Sequence, residues 1–286
     1  MNILVTGAGG QLGKELIYLS SDFTECSFHF CNSSELDIRS EEKVTEFISE
    51  HNIDTVINCA AYTKVDDAEE EQELANEINH LAVKKLANTC KNQEIRLIHF
   101  STDYVFSGEN FQPYKTHQPC EPVNYYGRSK VLGEKAILEK AGKNQFIVRT
   151  SWVYSPFGHN FVKTMLRLGE TKNEISVVTD QVGSPTNARD LAQFVLEHLV
   201  AFETEEPLIL HYTNSGVCSW YDFATTIIHI QKLSCDVKPI ASAAFPTKAK
   251  RPFYSVLDKS LLNSHFNHTP KNWMISLEKS LQKNDW

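Results

Sequence analysis

The sequence has no apolar run approaching the ~18–20 residues of a membrane-spanning helix, so no membrane partner is expected. Basic charge is in deficit: 28 Lys and Arg stand against 36 Asp and Glu, a formal net charge of -8. That argues against a broad face for nucleic acid, so no nucleic-acid partner is expected. One small basic pocket for a phosphorylated ligand stays open. The N-terminus has no charged n-region, no long apolar h-region and no small-residue cleavage site, so it does not read as a signal peptide. No cysteine pair has CxxC spacing. The seven cysteines, Cys26, Cys31, Cys59, Cys90, Cys120, Cys218 and Cys235, are odd in number and sit mostly in apolar runs. Buried free thiols in a reducing cytoplasm are expected. No His and Cys cluster has ligand spacing, so the pattern itself predicts no metal site.

What is present is an ordinary globular composition, 41% hydrophobic over 286 residues. That excludes disorder and gives one large domain or two intimately joined ones. In the first half, short β-rich runs alternate with longer amphipathic ones. Strands are predicted at 2–6, 27–31, 54–59, 95–101 and 146–150, and helices at 11–20, 40–51, 71–92 and 124–141. Ser40 followed by Lys43 gives only a partial capping signal. Alternation at this spacing implies parallel βαβ units with right-handed crossovers. The expected fold is α/β: a Rossmann-like doubly wound parallel sheet with a smaller α/β C-terminal substrate lobe. In the second half, helices are predicted at 161–168, 188–200, 220–231 and 277–282, a strand at 208–212, and loop from 239 to 252. The expected division is interleaved. Residues 1–157 and about 182–215 bind a dinucleotide, and about 158–181 with 216–286 bind substrate.

Directly after the first strand stands Gly7-Ala8-Gly9-Gly10-Gln11-Leu12-Gly13. Gly7 permits the tight turn, Gly10 lets backbone N–H groups approach a pyrophosphate, and Gly13 lets the helix pack on the sheet. The helix then points its N-terminus at the anion. The second strand ends in Cys31-Asn32-Ser33-Ser34, with no carboxylate before Glu35. A carboxylate there would bind the ribose 2′-hydroxyl and select NAD. Asn32 and its hydroxyl neighbours, with Arg39, instead accept a 2′-phosphate, so NADP(H) is favoured and NAD(H) left open. Asp37 and Ile38 follow, where an acidic group could meet the adenine amine. Ala60 and Ala61, before Tyr62, let a cofactor pass close to the backbone.

Tyr126-Gly127-Arg128-Ser129-Lys130 places Tyr and Lys at i and i+4, on one helix face. A free phenol titrates near ~10, and a nearby ammonium lowers that value. Tyr126 is thereby a proton donor to a developing alkoxide, and Lys130 tunes it and can hold a nicotinamide ribose. Ser101-Thr102-Asp103 closes the fourth strand, where ligands of a doubly wound sheet collect, so Thr102 is expected beside the Tyr126 hydroxyl.

With these residues in place the chain resembles the extended short-chain dehydrogenase/reductases, and among them those acting on dTDP-linked 4-keto sugars. The resembling segments are GAGGQLG (7–13), NCAAYTKVDDAE (58–69), STDYVFSG (101–108), YYGRSKVLGE (125–134), RTSWVY (149–154), NFVKTML (160–166) and DQVGSPT (180–186). The resemblance implies reduction of a dTDP-4-keto-6-deoxy-L-hexose at sugar C4, giving dTDP-L-rhamnose for polysaccharide synthesis. It implies that Gly10, Gln11 and Leu12 line the pyrophosphate, and Ala60, Ala61 and Tyr62 the adenosine side. It places Asp103 and Trp152 at the sugar, with Trp152 able to stack on a sugar face. Asn160, Gln181 and Arg251 fall at the nucleotide diphosphate end, Arg251 through bidentate phosphate contacts. Related dehydratases carry Thr-Asp-Glu where this chain has Thr102-Asp103-Tyr104, and related epimerase-reductases place a Cys and His pair differently from His99 and Cys120. Some relatives form homodimers through a carboxylate-bound Mg. Glu15 matches one such carboxylate, but Arg189 stands where another is expected, so the Mg bridge is in doubt and the chain is expected to be a monomer or homodimer. The competing readings are a reductase of a different nucleotide-linked keto sugar, and a non-catalytic subunit resembling the regulatory subunit of methionine adenosyltransferase.

Overall fold

The computed structural model describes residues 1–140, 142–282 and 286. In chain order the elements are β1 (Asn2–Thr6), α1 (Gln11–Leu19), β2 (Ser27–Cys31), α2 (Glu41–Glu50), β3 (Thr55–Asn58), α3 (72–92), β4 (Arg96–Thr102), α4 (Tyr125–Leu138) and β5 (Gln145–Thr150). Then follow α5 (Phe161–Thr171), β6 (Glu174–Val178), α6 (Ala188–Phe194), β7 (Leu208–His211), α7 (Trp220–Ile230), β8 (Asp236–Ile240), α8 (Ser260–Phe266) and α9 (Trp273–Leu281). The expected helix end at 141 lies outside the described residues.

Six strands form one parallel sheet in the order β7-β5-β4-β3-β1-β2. The connection reverses direction at β1, whose neighbours are β2 and β3. That is the switch point where an open α/β sheet leaves a crevice at its strand ends. Side chains alternate across the sheet. Ile3, Val5, Ile57 and Ile98 enter one buried cluster with Leu16 and Leu19 of α1, Leu191 and Phe194 of α6, and Leu262 of α8. Leu4, Val56, Leu97 and Ile147 enter the opposite cluster with Val44 and Ile48 of α2, Leu86 of α3 and Ile137 of α4. A third cluster lies apart from both. It joins Val162 and Met165 of α5, Phe223 and Ile227 of α7, and Trp273 and Leu277 of α9 over the parallel pair β6 and β8.

Several expectations are corrected. Residues 239 and 240 are not loop but the end of β8, paired with β6; Pro239 is tolerated because each strand of a two-stranded sheet is an edge. The α8 helix, not predicted from the sequence, buries Leu262 against the main sheet cluster. Ser40 makes no side-chain cap to α2. The long helix α3 is interrupted by a π turn at Glu77–Leu81. Inside that turn the Asn79 side chain bonds both backbone groups of Tyr62, at 2.9 and 3.0 Å, and Ser129 Oγ of α4 at 3.0 Å. The irregular turn thus clamps the segment after β3 to the helix carrying Tyr126 and Lys130, a common use of π-bulges.

Candidate active site

A cavity of about 770 Å³ opens at the C-terminal ends of the sheet strands. Its wall includes Gly7, Gly10, Gln11, Leu12, Gly13, Asn32, Asp37, Ile38, Ala60, Ala61, Tyr126 and Lys130. Gly7 sits at φ +67°, and a Cβ there would lie 2.5 Å from the Ala60 nitrogen, so the β1 turn admits only glycine. Gly10 differs. A Cβ there meets only the Gly7 carbonyl, at 3.3 Å, with open cavity beyond. Gly10 also begins α1 with no side-chain cap, leaving the first-turn N–H groups to the cavity. A backbone cradle with unclaimed donors suits an anion such as a dinucleotide pyrophosphate. Gly10→Val is therefore expected to abolish dinucleotide binding by filling the cradle. Fluorescence titration with NADPH checks it; retained tight binding would mean the pyrophosphate lies elsewhere.

At the other end of the crevice, the Asn32 side chain caps its own turn through Ser34 N and Oγ, and the Glu35 carboxylate accepts from the Asn32 N–H at 2.8 Å. Asp37 and Arg39 form an ion pair at 2.6 Å, and the Arg39 guanidinium holds the Asp37 carboxyl below its usual range. Tyr62 does not line the cavity. Its backbone is held by Asn79, and its hydroxyl donates to Glu71 at 3.0 Å.

The chemistry lies over β4 and α4. Thr102 ends β4, caps the Tyr104 N–H at 3.2 Å and donates to Asp103 Oδ1 at 3.0 Å. Burial pushes the Asp103 carboxyl up to about 6. Burial also drives the Tyr126 phenol well above its ordinary value, opposed by the neighbouring Thr102 hydroxyl. The expected lowering of Tyr126 by Lys130 is absent, because Lys130 Nζ is turned to His99 Nε2 at 3.2 Å and to the Phe100 carbonyl at 2.7 Å. Burial lowers Lys130 to about 8, against the pull of Glu134.

The remaining predicted residues lie outside this cavity. Arg251 pairs with Asp66 at 2.6 Å and sits over the Tyr104 ring, which meets Tyr126 edge-on. Trp152, at φ +49°, stacks on Trp220 with centroids 3.6 Å apart, and a Cβ on Gly183 would lie 2.8 Å from its ring. One face expected for a sugar is thus already taken by Trp220. Asn160 caps α5 and donates to Gln11 Oε1 at 2.9 Å, tying the second lobe to the glycine-rich turn. Gln181 donates to Ser242. Glu15 accepts from Arg189 Nε at 2.7 Å, and Arg189 lies over Tyr18. Among the described residues no group of three or more His, Cys, Asp or Glu could hold a metal ion.

Four contributors escaped the sequence reading. Asn58, His99 and Glu134 are buried beneath Lys130, and Gly127 lets α4 approach the Tyr104 carbonyl, which a Cβ would meet at 2.1 Å. Only Gly127 had a local signal, inside the Tyr-Gly-x-x-Lys run.

The parallel sheet, the glycine cradle at its switch point and the Tyr126–Lys130 helix beside the Thr102 strand end define an oxidoreductase of the extended short-chain dehydrogenase/reductase class. The profile of the RmlD substrate binding domain matches residues 1–285, and the chain belongs to that family. It is 40% identical over 286 residues to a dTDP-4-dehydrorhamnose reductase of Mycolicibacterium smegmatis, covering 98% of this chain and 84% of the relative. It is 38% identical to the spore coat polysaccharide biosynthesis protein SpsK of Bacillus subtilis, covering 98% and 97%. Among solved structures, a dTDP-4-dehydrorhamnose reductase of Bacillus anthracis in complex with NADP superposes with a TM-score of 0.94 at 36% identity, covering 99% of each chain.

Proposed function

We propose that the protein reduces dTDP-4-dehydro-L-rhamnose at sugar C4 to dTDP-L-rhamnose, using NADPH. The observation that carries this reading is the placement of Tyr126 and Lys130 in the same cavity wall as the Gly10 cradle, with Thr102 beside the phenol. A nicotinamide held there supplies the hydride. The chain's own part is electrostatic and protonic. The α1 N-terminus and Gly10 hold the pyrophosphate, Ala60 and Ala61 leave room for the adenosine side, and Lys130 orients the ribose. Thr102 hydrogen-bonds the substrate oxygen or the phenol. Tyr126, kept protonated by burial, donates its proton to the oxygen that becomes the C4 hydroxyl. Asp103, Asn160, Gln181, Trp152 and Arg251 are assigned to the sugar and diphosphate, Arg251 from the Tyr104 side.

NADPH is favoured over NADH because the end of β2 offers Asn32 and Ser33 to the cavity, while the next carboxylate along the chain, Glu35, is engaged by the Asn32 N–H and Asp37 is paired with Arg39. The NADP-bound Bacillus anthracis relative supports the same choice. The seven free cysteines support a cytoplasmic enzyme. The main-sheet clusters and the third cluster support a dinucleotide lobe and a sugar-nucleotide lobe, with α8 belonging to the first.

The test supplies dTDP-glucose through a 4,6-dehydratase and a 3,5-epimerase and follows NADPH and NADH oxidation in parallel. Consumption dependent on the keto sugar, faster with NADPH, with dTDP-L-rhamnose as product, is expected. NADPH binding without consumption would overturn the substrate assignment in favour of another keto sugar or a binding subunit.

A further inference from the structure

Leading inward from Lys130 in the cavity wall, four polar side chains form a continuous buried chain: Thr6, Asn58, His99 and Lys130, none more than 1% exposed. Thr6 Oγ1 donates to Asn58 Oδ1 at 2.7 Å, and the Ala60 N–H donates to the same oxygen at 3.2 Å. Asn58 Nδ2 lies 3.0 Å from His99 Nδ1. His99 Nε2 lies 3.2 Å from Lys130 Nζ, which reaches the Phe100 carbonyl on its other side.

Counting donors fixes where the protons are. A backbone N–H can only donate, so the Asn58 atom facing Ala60 is the oxygen. The other atom is then the amide nitrogen, also a donor, so His99 Nδ1 accepts and carries no proton. A neutral imidazole has one N–H, which is therefore on Nε2, aimed at Lys130. An ammonium has three donors and no acceptor, so it cannot receive that N–H. A neutral amine can, while still donating to the Phe100 carbonyl. An imidazolium would put a second cation against Lys130, and burial together with Lys130 drives His99 well below its ordinary value.

We propose that His99 is a positioning residue whose Nε2–H holds Lys130 as the neutral amine in the nucleotide-free protein at mildly alkaline pH, so that dinucleotide binding there brings one proton onto Lys130. The inference rests on the reading of Tyr126 and Lys130 as the reacting pair. The groups facing Lys130 are consistent with it. From α4 comes Glu134, from β4 His99 and the Phe100 carbonyl, and from β3, through His99, Asn58. Glu134 is the one anion, and its carboxylate is already claimed by Arg149 at 2.7 Å and Ser101 at 2.5 Å. The arriving pyrophosphate supplies the negative charge that favours the ammonium. Solvent supplies the proton that Lys130 takes up when the dinucleotide binds.

The experiment reads His99 directly. Protein labelled with 15N-histidine, free of nucleotide, is followed by long-range 1H–15N NMR across pH. The His99 signals are assigned by their loss in His99→Phe or, should that variant fail to fold, by their displacement in Lys130→Met. Expected are a pyridine-like Nδ1, a pyrrole-like Nε2, and a step in the Nε2 shift near pH 8 that Lys130→Met removes. An Nδ1–H tautomer, an imidazolium, or no such step would overturn the proposal. Calorimetry of NADPH binding at about pH 9, in buffers of different ionisation enthalpy, should record uptake of about one proton by the wild type and none by Lys130→Met. Binding without uptake overturns it too. Failure of NADPH to bind defeats the cofactor reading and the uptake together, and the tautomer then still decides the role of His99.

Discussion

Tyr126→Phe is expected to cut reductive turnover by about 10²–10⁴-fold, the span usual for one general acid, while leaving NADPH affinity nearly unchanged. Phenylalanine keeps the ring and its edge contact with Tyr104, so the α4 face is preserved. What disappears is the phenolic hydroxyl that burial keeps protonated beside Thr102. Single-turnover kinetics separates the two effects: hydride transfer should slow while the binding isotherm overlays that of the wild type. Unchanged turnover would remove Tyr126 from proton transfer and move attention to Asp103, whose carboxyl burial also raises.

The second large effect concerns stability. Glu134 and Arg149 form an ion pair with both side chains only 3% exposed. Arg149 also donates to the Thr116 carbonyl and Cys120 Sγ, and it contacts His211 Nε2 at 3.3 Å. Glu134→Leu fills similar space but leaves a guanidinium charged, buried and short of its acceptor. Removing one partner of such a pair costs about 3–5 kcal/mol, a large part of a typical stability of about 5–15 kcal/mol. Urea unfolding should show an earlier midpoint with little change in slope. The pair Glu134→Leu with Arg149→Met should recover most of the loss, because replacing both charges removes the uncompensated ion. No recovery would mean that Arg149 acts through Thr116 and His211 rather than through Glu134.

Much of this was legible in the sequence where one local pattern carried the information. The alternation of β1 to β5 with α1 to α4 rests on strong periodicity, and the six-stranded parallel sheet follows from it. The GAGGQLG turn and the Tyr126–Lys130 pair are short-range motifs, and the structure brings both to one cavity. Failures came where the determinant is distant. The β6 and β8 strands are short, and each is supported by the other across about sixty positions. The α8 helix has no side-chain cap to announce it. His99 reads as an unremarkable member of IRLIHFS, because its partners Asn58 and Lys130 lie 41 and 31 positions away. The stacking of Trp152 on Trp220 is another such contact, because no spacing rule links the two rings. Lys130 was expected to act on Tyr126 from helix spacing alone, whereas the choice of partner depends on which acceptors the sheet presents to Nζ.

One property of the main sheet bears on how the chain is made. The face carrying Ile3, Val5, Ile57 and Ile98 is covered by α1, but its closure needs Leu191 and Phe194 of α6 and Leu262 of α8. Between the end of β4 and Leu262 the ribosome must add enough chain to occupy about 10–30 s. Throughout that interval the nascent strands present an unfinished apolar face, the state most prone to association. Chaperone demand should therefore fall on chains arrested between β4 and α6, and a fragment ending after β5 should precipitate rather than fold. The cavity wall runs from Gly7 to Leu191, so the grip on a dinucleotide is assembled only after α6 has been made, while the third cluster still awaits Trp273 and Leu277.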